Sequence, residues 1–163
     1  MEACYNVGAG FSGTDVNSDI TMEYFSGDIT NTHLEFIVHG CNDKGAFNRG
    51  VAKAIRHAFP NAYAQYMSEY KTKALGQAII AHDERGYVIG NLLTQSGYGL
   101  IGQYAQVEWI HDALVDFIES TFATVIASPK IGCGLGGLTW EEVEPIYREI
   151  EDKYNVVFVI YTL

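Results

Sequence analysis

The sequence predicts an α/β fold, a three-layer α/β/α sandwich in which helices cover both faces of a central mixed sheet. Two observations support this prediction. Stretches with helical spacing of apolar residues alternate along the chain with short stretches that are almost wholly apolar, which is typical of strands buried on both faces. The chain has 163 residues, a length that suits a single domain with its own core.

Six short apolar stretches are predicted to be strands. They lie at residues 20–25, 34–39, 77–81, 87–93, 124–128 and 156–161. Turn residues at 83–86 predict that the third and fourth strands pair directly. Residues 1–19 carry no periodicity, so we expect an irregular arm there and a single domain over residues 20–163.

Four stretches have the apolar spacing of helices. They are residues 50–59, 60–70, 103–122 and 140–152. Pro60 is typical of a helix start, and the third helix carries an apolar stripe between Val107 and Ile118. Thr139 and Glu142 form a T-x-x-E capping box, which predicts where the last helix begins.

Composition excludes several classes of function. The chain has 10 Lys and Arg against 20 Asp and Glu, a formal charge of −10, which argues against binding nucleic acid or anionic lipid by counterion release. No apolar run approaches the roughly 18 residues of a membrane span. The three cysteines are odd in number, and the five histidines lack the spacing of metal ligands. We therefore expect a cytoplasmic protein with free thiols and neither metal nor cofactor.

Two familiar glycine motifs do not explain this chain. Residues 8–13 spell G-x-G-x-x-G, but the helical pattern that a dinucleotide fingerprint needs does not follow at residues 14–19. Residues 45–50 have the glycine spacing of a Walker A loop. Val51 and Ala52, however, stand where that motif needs Lys and Ser or Thr, so hydrolysis of a nucleoside triphosphate lacks its parts.

Residues 131–140 are the most informative stretch, and residues 131–139 of it are here called the second loop. The loop lies between a predicted strand and a predicted helix, and it contains Gly132, Gly134, Gly136 and Gly137. Glycines let successive backbone N–H groups turn toward a ligand, so we predict an anion cradle. We expect the apolar side chains of Ile131, Leu135 and Leu138 to anchor this loop on the core.

A second stretch of similar design follows the strand at residues 34–39. It is here called the first loop, residues 41–50, and it leads into the first predicted helix. Two such cradles indicate a diphosphate ligand. Cys41 and Cys133 lie in the two loops, but neither has an Arg six residues on, as a cysteine phosphatase loop would require. Packing is therefore the favoured role of both cysteines.

Together these stretches resemble the macro domain, a module that binds ADP-ribose. The resemblance covers about residues 20–163 and rests on GDIT, VHGCN, GVAKAI, FPNAYAQY, NLLTQ and IGCGLGGLTW. It implies that Asp28 accepts a hydrogen bond from the adenine amino group, with the Ile29 backbone beside it. It also implies that Asn42 holds the distal ribose and that Tyr161 covers the adenine, although core packing explains Tyr161 equally well.

The same resemblance places the phosphates between the two loops. The residues it implies as further ligand contacts are Gly45, Asn48, Gly50, Val51, Gly132, Cys133, Gly134, Leu135 and Gly136. Backbone donors at these positions would let a protein of charge −10 hold an anionic ligand.

Departures from the family pattern favour one branch of it. Terminal ADP-ribose glycohydrolases use a lysine and an aspartate where Gln95 or Ser96 and Gly136 stand in this chain. The His in an HxCN context and the GLGG second loop are similar to the ADP-ribose 1''-phosphate phosphatases. This likeness implies that His39 and Asn42 are catalytic; a buried packing role for His39 is the open alternative.

We therefore expect an enzyme that hydrolyses ADP-ribose 1''-phosphate. The alternatives are a hydrolase that removes ADP-ribose from protein or nucleic acid, and an ADP-ribose reader without turnover. The expected partners are ADP-ribose or its 1''-phosphate, with nucleic acid only if it carries ADP-ribose and no membrane. We expect a monomer.

Overall fold

A mixed six-stranded sheet forms the centre of the molecule. The computed structural model describes residues 22–163, so the predicted arm lies outside the described residues. The strands are β1 (Glu23–Ser26), β2 (Phe36–Asn42), β3 (Ala78–His82), β4 (Val88–Gln95), β5 (Val125–Ser128) and β6 (Val157–Thr162). Their order in the sheet is β1-β6-β5-β2-β4-β3, and each neighbouring pair is parallel except β3 with β4.

Helices cover both faces of this sheet. They are α1 (Gly50–Ala58), α2 (Pro60–Glu69), α3 (Val107–Thr121) and α4 (Trp140–Tyr154). One core cluster joins α1 and α2 to the sheet, and the other joins α3 and α4 to the opposite face. The predicted three-layer α/β/α sandwich is therefore confirmed, because helices pack on each side of a mixed sheet.

The side chains of β2 show how the two cores form. Ile37 and Cys41 point to the α1 and α2 side, whereas Val38 packs with the α3 and α4 side. Alternate residues of a strand face opposite sides of a sheet, so a nearly continuous apolar run can supply both cores. None of the helices within residues 22–163 is long and apolar enough to cross a membrane.

The bounds of several elements differ from the prediction, and two of these differences bear on the site. β2 continues to Asn42 because Gly40 and Cys41 still pair with Leu92 and Leu93 of β4. The helix predicted from residue 103 begins at Val107, since the preceding residues form a loop in which the N–H groups of Tyr104 and Ala105 donate to Gly136. Apolar periodicity did not separate this loop from the helix that follows it.

A buried carboxylate joins α4 to the sheet. Glu151 is buried in the last turn of the helix, and its Oε2 accepts a hydrogen bond from the backbone N–H of Phe158 at 2.9 Å. Burial raises the pKa of Glu151 to about 7, although hydrogen bonds from the N–H groups of Phe158 and Met22 act in the opposite direction. The carboxyl group therefore titrates near neutral pH in the folded protein.

We expect Glu151 to make the protein less stable as pH rises from about 4.5 to 7. The folded state holds this proton more tightly than the unfolded state, so the stabilisation is complete below the ordinary pKa and is lost as pH passes the raised one. Glu151→Gln should gain in Tm relative to the native protein between pH 5 and pH 8, measured by circular dichroism. Glu149→Gln, an exposed neighbour on α4, is the control. Parallel Tm curves for native protein and Glu151→Gln would contradict this expectation.

Candidate functional site

The site lies where β2 and β5 part. The two strands pair only at Phe36 with Ile126 and Ile37 with Ala127, while β2 continues to Asn42. From β2 the chain runs to α1 on one face of the sheet, and from β5 it runs to α4 on the other. Ligands of open α/β sheets bind in the crevice outside the carboxyl ends of the strands at such a point. The first and second loops flank this crevice.

Asn42 organises the first loop. Its Oδ1 accepts hydrogen bonds from the N–H groups of Lys44 at 2.8 Å and Ala46 at 3.3 Å, and its Nδ2 donates to the Ala46 carbonyl at 2.8 Å. The Tyr66 hydroxyl donates to the Asn42 carbonyl at 2.6 Å and accepts from the Gly45 N–H at 3.0 Å. An amide carries two Nδ2 hydrogens, so one of those of Asn42 has no partner among residues 22–163 and is left for a ligand.

Aromatic packing fixes the rest of this loop. Phe47 is buried, and its ring lies 5.0 Å from that of Tyr66. Gly45 has a φ of 84°, and a Cβ there would lie 2.8 Å from the Tyr70 ring, so only glycine fits. Asn48 is exposed, and its Oδ1 accepts a hydrogen bond from Arg56 at 3.0 Å. These contacts therefore fix the conformation of the first loop.

α1 begins at the crevice without a side-chain cap. Arg49 occupies the N-cap position and makes no capping hydrogen bond, and Gly50 follows with a φ of 55°. The N–H groups of Gly50 and Val51 lie at the positive end of the helix dipole. This end of α1 can stabilise an anion.

The second loop is anchored at its two ends. Ile131 and Leu138 are buried, and the Leu138 N–H donates to the Gly132 carbonyl at 2.9 Å. Leu135 is 44% exposed, so the expectation that it anchors the loop was wrong: it lies at the tip, beyond reach of the core. The predicted capping box is present, with Thr139 and Glu142 each bonding the other's backbone N–H.

Between these ends, backbone donors are left over. The N–H groups of Gly134, Leu135 and Gly136 make no hydrogen bond to any of residues 22–163. A Cβ on Gly136 would lie 2.8 Å from the Gly132 carbonyl oxygen, whereas a Cβ on Gly134 would meet nothing within 4 Å. Consecutive N–H groups of this kind form an anion-binding concavity.

The two cysteines of the loops are thiols at neutral pH. Cys41 is buried, and burial raises its pKa well above the ordinary value. Burial also raises the pKa of Cys133 to about 11, and its Sγ lies 3.5 Å from the Ile131 carbonyl oxygen. Neither has the lowered pKa of a nucleophile.

A third loop, residues 96–106, is joined to both the first and the second loop and was not predicted from the sequence. Asp43 accepts hydrogen bonds from the Gly97 N–H at 3.0 Å and the Ser96 hydroxyl at 3.3 Å, which join this loop to the first. The N–H groups of Tyr104 and Ala105 donate to the Gly136 carbonyl at 2.8 and 3.1 Å, which join it to the second. The uncharged Gly-rich run GYGLIG is the signal that could have marked it as a loop.

Asp28 lies at the carboxyl end of β1. It is exposed and caps a single 3-10 turn, Ile29–Asn31, where its Oδ1 accepts from the N–H and hydroxyl of Thr30 at 2.9 and 2.8 Å. Ile29 is buried behind it. Among the described residues, Asp28 Oδ2 has no hydrogen-bond partner, which leaves it available to a donor on a ligand.

Tyr161 lies in the core near this turn. Its side chain is buried, its ring centroid lies 5.1 Å from that of Phe25, and its hydroxyl donates to Thr32 Oγ1 at 2.7 Å. These contacts are the ones that a packing role of Tyr161 predicts. A contact of Tyr161 with adenine stays a prediction.

His39 is also buried. Its Nε2 lies 2.6 Å from Asn91 Oδ1, and the Asn91 amide donates to the carbonyls of Ala62 and Ile79 at 3.1 Å. Because both Asn91 hydrogens are used, its oxygen faces His39, so Nε2 carries the imidazole proton. Burial lowers the pKa of His39 to about 4, and the ring makes an edge contact with Phe47 at 5.3 Å. His39 is therefore neutral at pH 7 and supports the first loop from below.

No role was predicted for Asn91 or Tyr66, although they lie in the motifs NLLTQ and FPNAYAQY that carry the resemblance. Both act from other elements through contacts that depend on the tertiary fold. Gln95 lies at the carboxyl end of β4, opposite Asn42 at the carboxyl end of β2.

Glycine-rich loops at the switch point of a mostly parallel sheet are typical of proteins that bind phosphorylated ligands. The chain belongs to the macro domain family, whose model matches residues 38–147.

Named relatives differ in what they act on. An ADP-ribose 1''-phosphate phosphatase of Candida albicans is 25% identical over 158 residues, which cover 85% of this chain and 99% of the relative. A DNA ADP-ribosyl glycohydrolase of Thermus aquaticus is 26% identical over 136 residues, 78% of this chain and 37% of the relative. The macrodomain of Mycobacterium tuberculosis DarG has a TM-score of 0.76 at 24% identity and covers 88% of this chain and 98% of that one. The last likeness concerns the fold alone.

We expect Gly134→Glu to abolish binding of a diphosphate ligand while the fold is kept. A side chain at this position meets open space, so a carboxylate there repels the anion without distorting the loop. The Gly136→Glu variant is less suitable, because its Cβ would collide with Gly132. Calorimetry with ADP-ribose, with Tm as the check on folding, measures the effect. Gly134→Gln is the neutral control of similar size, and equal affinity of Gly134→Glu and native protein would exclude the second loop as the cradle.

Proposed function

We propose that this protein binds ADP-ribose in the crevice and hydrolyses ADP-ribose 1''-phosphate to ADP-ribose and inorganic phosphate. The observation that carries the proposal is the pair of backbone anion sites on the two sides of one crevice. These are the uncapped start of α1 and the N–H groups of residues 134–136. The named relatives are hydrolases that act on ADP-ribose derivatives.

The diphosphate is proposed to lie between these two sites. Backbone N–H groups bring partial positive charge without any basic side chain, which a chain of net charge −10 needs at an anion site. Asp28 Oδ2 then accepts the adenine amino group at the carboxyl end of β1, and the spare Nδ2 hydrogen of Asn42 is offered to the distal ribose.

The residues at two positions favour hydrolysis of a terminal phosphate over hydrolysis of a terminal glycosidic bond. Gln95 has no amine that could form a Schiff base, and Gly136 has no carboxylate that could open the ribose. Because Gly136 carries no carboxylate, a phosphate dianion bound beside it meets no repulsive charge at this position. Both features support the phosphatase over the glycohydrolase.

A hydrolase that removes ADP-ribose from a protein or nucleic acid is the second candidate. The observation that favours it is the exposed apolar surface of the third loop, where Tyr98 is 57%, Leu100 75% and Ile101 87% exposed. Such a surface next to the crevice suits a larger group attached to the ribose.

One assay separates the candidates. Native protein is incubated with ADP-ribose 1''-phosphate, ADP-ribosylated protein and ADP-ribosylated DNA, and release of phosphate or of ADP-ribose is measured. We expect phosphate release from the first substrate. Release of ADP-ribose from either macromolecule alone would favour the second candidate, and binding of ADP-ribose without any turnover would make the protein a reader.

We expect Asp28→Asn to weaken ADP-ribose about 10- to 100-fold, corresponding to the about 1.5–3 kcal/mol of a hydrogen bond to a charged group. The amide oxygen can still accept from Thr30, so the turn is kept, while an NH₂ group faces the adenine amino group. Calorimetry measures the affinity. Inorganic diphosphate should bind both proteins equally, and an ADP-ribose affinity that does not change would remove the adenine assignment.

We expect His39→Ala to lower ADP-ribose affinity and Tm together with phosphate release. The ring of His39 contacts Phe47 of the first loop, so its loss should disturb that loop. Its pKa of about 4 keeps His39 neutral at pH 7. A proton-transfer role predicts another pattern, a loss of about 10²- to 10⁴-fold in release with affinity kept. Calorimetry and phosphate release on the same preparations distinguish a supporting His39 from a catalytic one.

A further inference from the structure

Thr94 is the extra residue of a β-bulge next to the crevice. In the pairing of β2 with β4, Cys41 lies opposite Leu93 and Asn42 lies opposite Gln95, so Thr94 has no partner on β2. Its carbonyl accepts from the Gln106 N–H at 3.3 Å. Bulges often lie beside active sites, where they redirect a side chain.

The hydroxyl of Thr94 is buried and unpartnered. Thr94 is 0% exposed, and among residues 22–163 its Oγ1 is the one buried side-chain polar atom without a hydrogen bond. A buried hydroxyl without a partner costs free energy, and valine would fill nearly the same space without that cost. A role in packing alone therefore does not explain a threonine here.

The position of this hydroxyl connects it to the crevice. Thr94 Oγ1 lies 2.8 Å from the point that a Cβ on Gly40 would occupy, and Ile131 Cγ2 lies 3.0 Å from the same point. Gly40 belongs to the part of β2 beyond its pairing with β5, and Ile131 begins the second loop. Thr94 is therefore packed between the open edge of β2 and the base of the second loop, two elements that border the crevice.

We propose that Thr94 positions the terminal ribose of the ligand, a role that rests on the proposed function. Its hydroxyl gains the missing hydrogen bond when the crevice is occupied. The partner is an oxygen that reaches it past Ile131, belonging to that ribose or to a water molecule held against it. Gly40 is required because a Cβ at this position would lie 2.8 Å from the hydroxyl and 3.0 Å from Ile131 Cγ2.

The test compares two ligands and two variants. Thr94→Val should weaken ADP-ribose about 3- to 10-fold, the effect of one neutral hydrogen bond. ADP lacks the terminal ribose and should bind native protein and Thr94→Val equally. Thr94→Ser keeps the hydroxyl and should bind ADP-ribose more tightly than Thr94→Val. Tm of Thr94→Val should equal or exceed that of native protein, because an unpartnered hydroxyl is removed.

Two results would overturn the proposal. These are equal ADP-ribose affinity of native protein and Thr94→Val, and an equal loss of affinity for ADP and ADP-ribose. If Thr94→Val fails to fold, Thr94→Ser and Thr94→Ala, which differ only in the hydroxyl, replace it in the same comparison. If native protein does not bind ADP-ribose, the proposed function and the role of Thr94 are both overturned. If native protein binds ADP-ribose and Thr94→Val binds it equally well, only the role of Thr94 is overturned.

Discussion

The early parting of β2 and β5 is the constraint on which the site depends. If the two strands paired along their full length, the carboxyl half of β2 would be covered and the two glycine loops would have no space between them. Pairing instead stops at Ile37 and Ala127, and the chain leaves toward opposite faces of the sheet. The crevice is therefore a product of topology, and the loops supply its lining.

What keeps this crevice in shape lies beneath it. A buried layer of polar side chains joins the elements: Tyr66 reaches from α2 to the first loop, and Asn91 joins β4 to His39 and to α2. These groups are satisfied by hydrogen bonds in the apolar interior, so they fix one arrangement of the loops. Phe47 attaches the first loop to this layer, because its ring packs against both His39 and Tyr66.

Local rules predicted the features that depend on neighbouring residues. The capping box of Thr139 and Glu142 is one example, since its partners are three residues apart, and the alternation of strands and helices is another. Features that depend on register or on distant contacts were not accessible in this way. The bulge at Thr94 arises from the pairing of two strands, and the exposure of Leu135 depends on where the tip of the second loop points. The burial of Glu151 depends on how α4 meets β6, which helical spacing does not specify.

Main-chain donors at the two loops have a consequence for how the site responds to its surroundings. Amide groups do not ionise in the physiological range, so the proposed diphosphate cradle carries the same partial charge in acid and in neutral solution. Its side-chain neighbours add little variation, because Cys133 stays a thiol and His39 stays neutral at pH 7. We therefore expect the pH dependence of anion affinity at the proposed cradle to follow the phosphates of the ligand, while the cradle itself keeps a nearly constant electrostatic character.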